Sequence, residues 1–237
     1  MLKQELIQKN PIRHLNSGDE GKITARMGLV VARAGLGKTA MLVQIALDSL
    51  LQGKQVIHVS VGQGLEKTRI WYDDIFKDIV ENCNLSNPYE IYDEIMRNRM
   101  IMTFKESTLT RARLEERLND LVFQNIIRPG CVVVDGYDFK GGDRRVLADL
   151  KEMAQSMGLQ LWFSAVSHRD DERTSPSGVP APCHELEDLF DTVVLLQPAA
   201  GSECIDLNII KNSSGGGVAD TPLLQLDPIT FMIKEGC

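Results

Sequence analysis

The residues best suited to chemistry lie in one short run, Ala32-Arg-Ala-Gly-Leu-Gly-Lys-Thr39. Gly35 and Gly37 let the backbone curl until successive N–H groups point inward, which makes a nest for anionic oxygens. A helix expected from about Lys38 adds its unpaired N–H groups and the positive end of its dipole. Lys38 supplies a point charge for β- and γ-phosphates, and the Thr39 hydroxyl can ligate Mg²⁺. Ala32, Arg33, Ala34, Gly35, Leu36, Gly37, Lys38, Thr39 and Ala40 are therefore the expected triphosphate-binding residues. The strict Walker A pattern opens on Gly where this chain has Ala32, so only the first corner of the loop loses its free φ.

A second group follows about 100 residues later, the spacing seen in phosphate-loop proteins. Cys131-Val-Val-Val-Asp135 is an apolar run that ends in a carboxylate. On a strand beside a phosphate loop, such an aspartate holds Mg²⁺, usually through water. Thr39 and Asp135 are the expected metal-site pair.

These groups need a scaffold. Leu29–Ala32 reads as a strand and Thr39–Gln52 as a helix apolar on all sides, hence buried. Gln55–Val61 is β-branched and reads as a strand, with His58 packed inside it. Leu65–Val80 and Pro88–Arg97 read as helices, Met100–Phe104 as a short strand, and Leu109–Ile127 as a helix with a charged outer face. Cys131–Asp135, a helix over Asp143–Met157 and a strand over Leu159–Ala165 continue the alternation. Arg169–Pro182, rich in Pro, Ser and charge, reads as a mobile surface loop, and Glu185–Phe190 as a short helix. Thr192–Leu196, Cys204–Ile210, Leu223–Leu226 and Thr230–Ile233 read as strands joined by short turns. Alternating strands and helices followed by hairpin-linked strands predict an α/β fold: a mostly parallel central sheet, flanked by helices, with antiparallel C-terminal edge strands. Ligands of such sheets sit at the carboxyl ends of the strands, where the glycine loop and Asp135 both fall.

Residues 1–27 are polar and read as an N-terminal arm, most simply a loosely held terminus; residues 28–237 form the single nucleotide-binding domain. The net charge of −7 argues against a strongly basic nucleic-acid surface. No secretory signal and no apolar run of bilayer length is visible. Five cysteines, an odd number without a two-residue spacing, predict a cytoplasmic protein without disulfides or structural zinc.

The stretch from about Gly28 to Ile233 resembles the RecA-like ATPase core. It is most similar to the C-terminal motor domain of DnaB-type replicative helicases, with the KaiC-type ATPases as near relatives. The resemblance rests on Val31–Ala40, His58-Val-Ser-Val-Gly62, Val132-Val-Val-Asp135, Arg145–Ala154, Leu161–Ala165 with Ser167-His-Arg169, Glu185–Leu196, and Ile210-Lys-Asn-Ser-Ser-Gly215. It implies ATP and Mg²⁺ as ligands, and a homo-oligomer, ring or filament, whose sites lie between subunits. The helical domain that precedes the motor in these helicases has no counterpart before residue 28, so full replicative helicase activity is not expected.

Three positions depart from the family. Gly62 stands where the family's catalytic Glu, which polarises the attacking water, is expected; Glu66 and Asp138 are the candidate substitutes. The polar sensor at the end of the Leu161–Ala165 strand is missing at Val166, which leaves Ser167 or His168. In the Lys211 turn, Ser213 replaces the arginine that reaches a neighbour's γ-phosphate, and a lysine alone cannot form the bidentate clamp. Lys38, Glu66, Asp138, His168 and Lys211 are thus the candidate catalytic groups. The expected function is an ATPase or ATP switch with Mg²⁺-dependent, slow hydrolysis. The alternatives are an accessory single-stranded nucleic-acid-binding protein, using Lys140, Arg144, Arg145, Arg169 and Arg173, or a small-molecule kinase with Arg97, Arg99, Arg111 and Arg113 in a lid.

Overall fold

The computed structural model describes residues 3–10, 26–105, 109–141, 143–213 and 224–234. Its strands are β1 (Arg26–Ala32), β2 (Gln55–Val61), β3 (Arg99–Phe104), β4 (Pro129–Asp135), β5 (Gln160–Val166), β6 (Thr192–Pro198), β7 (Ile205–Asn212) and β8 (Leu224–Leu226). Its helices are α1 (Lys3–Lys9), α2 (Lys38–Leu51), α3 (Leu65–Cys83), α4 (Pro88–Asn98), α5 (Arg111–Phe123) and α6 (Arg144–Met157), with a 3-10 turn at Glu187–Leu189. The eight strands form one sheet in the order β3-β2-β4-β5-β1-β6-β7-β8. β1 to β6 run parallel, while β7 and β8 add antiparallel at one edge.

Side chains alternate across the sheet and bury on both faces. Val30, Val56, Val133 and Trp162 face α1 to α4, while Leu29, Ile57, Val134 and Phe163 face α5 and α6. Two-sided burial explains why the parallel strands read as continuous apolar runs. α2 is the most enclosed helix: every residue from Ala40 to Leu51 is buried, in keeping with its lack of a polar face. Gly28 is required by packing, because a methyl group there would lie 2.3 Å from Cε3 of Trp162 on the adjacent strand. α6 begins with Asp143 accepting from the Arg145 N–H at 2.8 Å, and ends at left-handed Gly158.

Several expectations need correction. The first strand starts at Arg26, earlier than its apolar part, since Arg26 is itself buried. Of the expected N-terminal arm, residues 1–2 and 11–25 lie outside the described residues; within residues 3–10, α1 buries Leu6, Lys3 pairs with Glu94 at 2.6 Å, and Asn10 donates to the Gln44 carbonyl at 3.1 Å, so this part is held to the domain. Thr230–Ile233 is not a strand. It follows a turn set by Asp227 and keeps a single bridge between Leu226 and Ile233. The loop after β5 is anchored, because Ser175, Val179, Ala181 and Cys183 are buried and Thr174 bridges Pro180. Cys204 is disulfide-bonded, whereas Cys83, Cys131 and Cys183 take part in no disulfide. The two-residue spacing test detects only short-range motifs, and an odd count still allows one bond between distant cysteines. Among the described residues, no helix is long and apolar enough to cross a membrane.

Candidate nucleotide site at the carboxyl ends of the strands

The loop between β1 and α2 leaves the sheet at Ala32 and turns through Arg33–Leu36, where the Leu36 N–H donates to the Arg33 carbonyl at 3.3 Å. Gly37 precedes the helix with φ of +76°, a left-handed conformation that L side chains adopt at a cost. Its carbonyl accepts the first helical bond, from the Met41 N–H at 2.8 Å. No side chain caps this helix start, and no acidic residue occupies its first turn. The leading N–H groups and the positive dipole end therefore meet an open, partly exposed loop.

Three elements converge beneath the loop. The Thr39 hydroxyl donates to Asp135 Oδ2 at 2.7 Å, joining α2 to the end of β4. Ser164, on β5 beside β4, donates to Asp135 Oδ1 at 2.5 Å. Asp135 is 6 % exposed, yet both of these donors are neutral hydroxyls. The Lys38 ammonium bends over the loop to the Arg33 carbonyl at 3.0 Å. Burial lowers its pKa, and the charge of Asp135 partly opposes that shift. A buried carboxylate, a threonine hydroxyl, a lysine and a free helix start form a set suited to an oxyanion and a hard divalent cation.

Ser164 was missed in the sequence because it sits inside an apolar run, Leu161-Trp-Phe-Ser-Ala165. The strand period could have located it. Its side chain falls on the same face as Trp162, toward α2, where a hydroxyl can reach Asp135.

The remaining candidates are more dispersed. Gly62 has φ of +70° just past β2, and its N–H donates to the Phe104 carbonyl at 2.9 Å. A glutamate would be strained in that conformation, so the backbone itself disfavours a carboxylate base at this point. Glu66 is exposed in the first turn of α3. Asp138 is exposed and accepts from the Lys140 N–H at 2.9 Å, so its carboxylate shapes its own loop. The Ser167 N–H donates to the Ala32 carbonyl at 3.0 Å, bringing the end of β5 beside the start of the glycine loop. His168 is exposed one residue further on.

Lys211 lies on β7 opposite Val193, which pairs with Leu29. That level is below the strand ends that carry the glycine loop, and the Lys211 ammonium donates to the Glu187 carbonyl at 2.8 Å.

His168, Lys140, Arg144 and Arg173 share the rim of a cavity of about 560 Å³ floored by Phe139 and Leu186. Its arginines are matched by acids: Arg144 bonds Asp188 and Arg173 bonds Asp171. The lid arginines do not gather over the loop. Arg99 opens β3 at the amino end of the strands, stacked 4.4 Å from the Tyr72 ring centroid, and Arg111 pairs with Glu115 and Glu152. Another cavity, of about 870 Å³, lies along edge strand β3 and α5, away from the glycine loop.

His58 is fully buried and accepts or donates at Nδ1 with the Tyr72 hydroxyl at 3.1 Å. Burial brings its pKa down to about 4; Asp135 opposes the shift and Arg99 adds to it. It is a packed, neutral histidine.

No protein-family model matches the chain, and no curated protein has significant sequence similarity to it.

Proposed function

We propose that this chain is a RecA-like ATP-binding protein that holds Mg·ATP between the Ala32–Thr39 loop and Asp135, and that it acts as a slow ATPase or ATP switch. The observation that carries this reading is the Thr39–Asp135 contact at 2.7 Å, which unites two separate motifs under an uncapped helix start. In this reading the loop N–H groups and Lys38 take the phosphate oxygens. The Thr39 hydroxyl and Asp135 would hold Mg²⁺, which would neutralise phosphate charge. To reach such a ligand, the Lys38 ammonium would leave the Arg33 carbonyl and the Thr39 hydroxyl would leave Asp135.

Slow turnover is favoured by what surrounds the site. The position for a water-activating base is a left-handed glycine, Asp138 is committed to a backbone N–H, and Lys211 is held by a carbonyl of its own chain. A trans role for Lys211 in a ring or filament requires it to leave that carbonyl.

Titration of Mg·ATP by calorimetry, with turnover measured in parallel, tests the proposal. Binding that depends on Mg²⁺ and is lost in Lys38→Ala supports it. Absence of binding by the folded wild type refutes it. Turnover of about 1 s⁻¹ or faster, abolished in Lys38→Ala, refutes the slow-switch part, since that rate enters the ordinary enzyme range.

A further inference from the structure

The chain segment after β8 is fastened to the glycine loop. Asp227 organises it: Oδ1 accepts from the N–H groups of Ile229 at 2.9 Å and Thr230 at 3.0 Å, and its carbonyl accepts from the Phe231 N–H at 2.9 Å. The Asp227 N–H donates in turn to the Met232 carbonyl at 3.0 Å. The turn is then tied to α2, because the buried Gln44 side chain donates to the Thr230 carbonyl. The other end of Gln44 receives Asn10 at 3.3 Å, so one glutamine on the loop's own helix meets both the start and the end of the described chain.

Phe231 completes the connection. Its φ of +56° is uncommon for a bulky residue, and such a conformation persists only where surrounding contacts fix it. Its ring is buried against Gly37: a methyl group on Gly37 would lie 2.1 Å from Cζ and 2.2 Å from Cε1. The second glycine of the loop therefore has two separate reasons to be glycine, its left-handed φ and the ring beneath it. Lys38 and Thr39 follow at once, so the ring sets the level from which both side chains start.

We propose that Phe231 is a positioning residue for phosphate binding. Its ring is the stop on which Gly37 rests, and the Asp227–Phe231 turn holds that stop in place through Gln44. This rests on the reading of the loop as a triphosphate site. The ring touches the loop from the core side, so its effect falls on the phosphate part of the ligand whatever base is attached.

The test compares dissociation constants of Mg·ATP and of Mg·tripolyphosphate for the wild type, Phe231→Leu and Phe231→Ala. Thermal melts establish that each variant is folded. Both probes are expected to weaken together, about tenfold in Phe231→Ala and less in Phe231→Leu, given that a misplacement of about 1 Å at a reacting group can cost about 100-fold. Unchanged affinity for both probes overturns the proposal. So does a loss confined to Mg·ATP, which would make the ring a base contact. A folded wild type that binds neither probe overturns the underlying triphosphate reading instead, and the positioning role with it. If the variants fail to fold, hydrogen exchange on the wild type decides. Saturating Mg·ATP should slow exchange at the Asp227 and Phe231 amides, and unchanged exchange there overturns the proposal.

Discussion

Asp135 and Asp191 sit at opposite ends of the same sheet, and their partners differ in kind. At the amino end, Asp191 takes the Lys151 ammonium at 2.8 Å on one oxygen and the Met27 N–H at 2.9 Å on the other. Its own N–H donates to the Met27 carbonyl at 2.8 Å, and its carbonyl accepts from Ser213 at 2.8 Å. That cluster stitches β1, β6 and α6 and balances its charge internally. At the carboxyl end, Asp135 is more deeply buried but receives hydroxyls from Thr39 and Ser164, and the nearest lysine of the loop bonds a carbonyl instead. Burial without a matched cation is costly for a carboxylate. The lower end is thus a closed structural clasp, while the upper end leaves its carboxylate without a bonded cation, as the proposed Mg²⁺ site would need.

The sharpest way to break this contrast is to remove the lysine from each end. Lys38→Ala is expected to weaken Mg·ATP binding by about a thousandfold, ~4 kcal/mol, while leaving the melting temperature nearly unchanged. An unfolded Lys38→Ala protein, or one with intact affinity by calorimetry, removes the distinction.

The second test uses pH. His58, on β2 one layer below Asp135 of the neighbouring β4, has its folded pKa depressed from 6.5 to about 4 by burial. The unfolded chain binds the extra proton between those values. The stability that neutral His58 contributes is therefore complete above pH 6.5 and is lost as pH falls toward 4, by about 3 kcal/mol across the window. Urea denaturation across that range should show the slope in the wild type and a shallower one in His58→Gln; equal slopes would mean that His58 is not buried neutral.

Lys151→Ala is the mirror of the first variant. Opening the partly exposed lower clasp is expected to cost about 2 kcal/mol of stability, with nucleotide affinity preserved. A Lys151→Ala protein as stable as the wild type in denaturant would show that the clasp does not hold the sheet. The smallest effect belongs to Ser164→Ala, which leaves Asp135 one donor short. A change of about 1 kcal/mol in stability is expected, with Mg²⁺ restoring part of the difference in a melt. A loss of Mg·ATP affinity as large as that of Lys38→Ala would place Ser164 in direct ligand contact.

What was legible in the sequence follows from how local each signal is. Gln55–Val61 is a strand with the bounds its β-branched residues predicted, and Asp135 ends β4 as the apolar run before it implied. The α/β layering, with parallel strands followed by antiparallel ones, came from the order of elements alone. Signals that depend on distant partners were hidden. Arg26 looks like a loop residue but is buried in β1. Ser164 looks like a minor defect in a core strand until β4 brings Asp135 beside it. Asp227-Pro-Ile-Thr230 carries the side-chain acceptor of a turn, yet the apolar residues around it suggested a strand. Phe231 has no sequence mark at all, since its contact with Gly37 spans almost the whole domain.

The position of β1 in the middle of the sheet also sets when the site can exist. Its two neighbours are β5 and β6, so the strand that carries the glycine loop leaves the ribosome long before either edge it must pair with. Asp135, Ser164 and Phe231 emerge in turn, and each adds a contact that closes a long loop of chain, the kind of pairing that slows folding. The first chemically recognisable part of this protein to be synthesised is thus complete only once chain as far as Phe231 has emerged. During that interval, the apolar flank of β1 is an open edge for misassociation, which chaperones or rapid completion of the chain must cover.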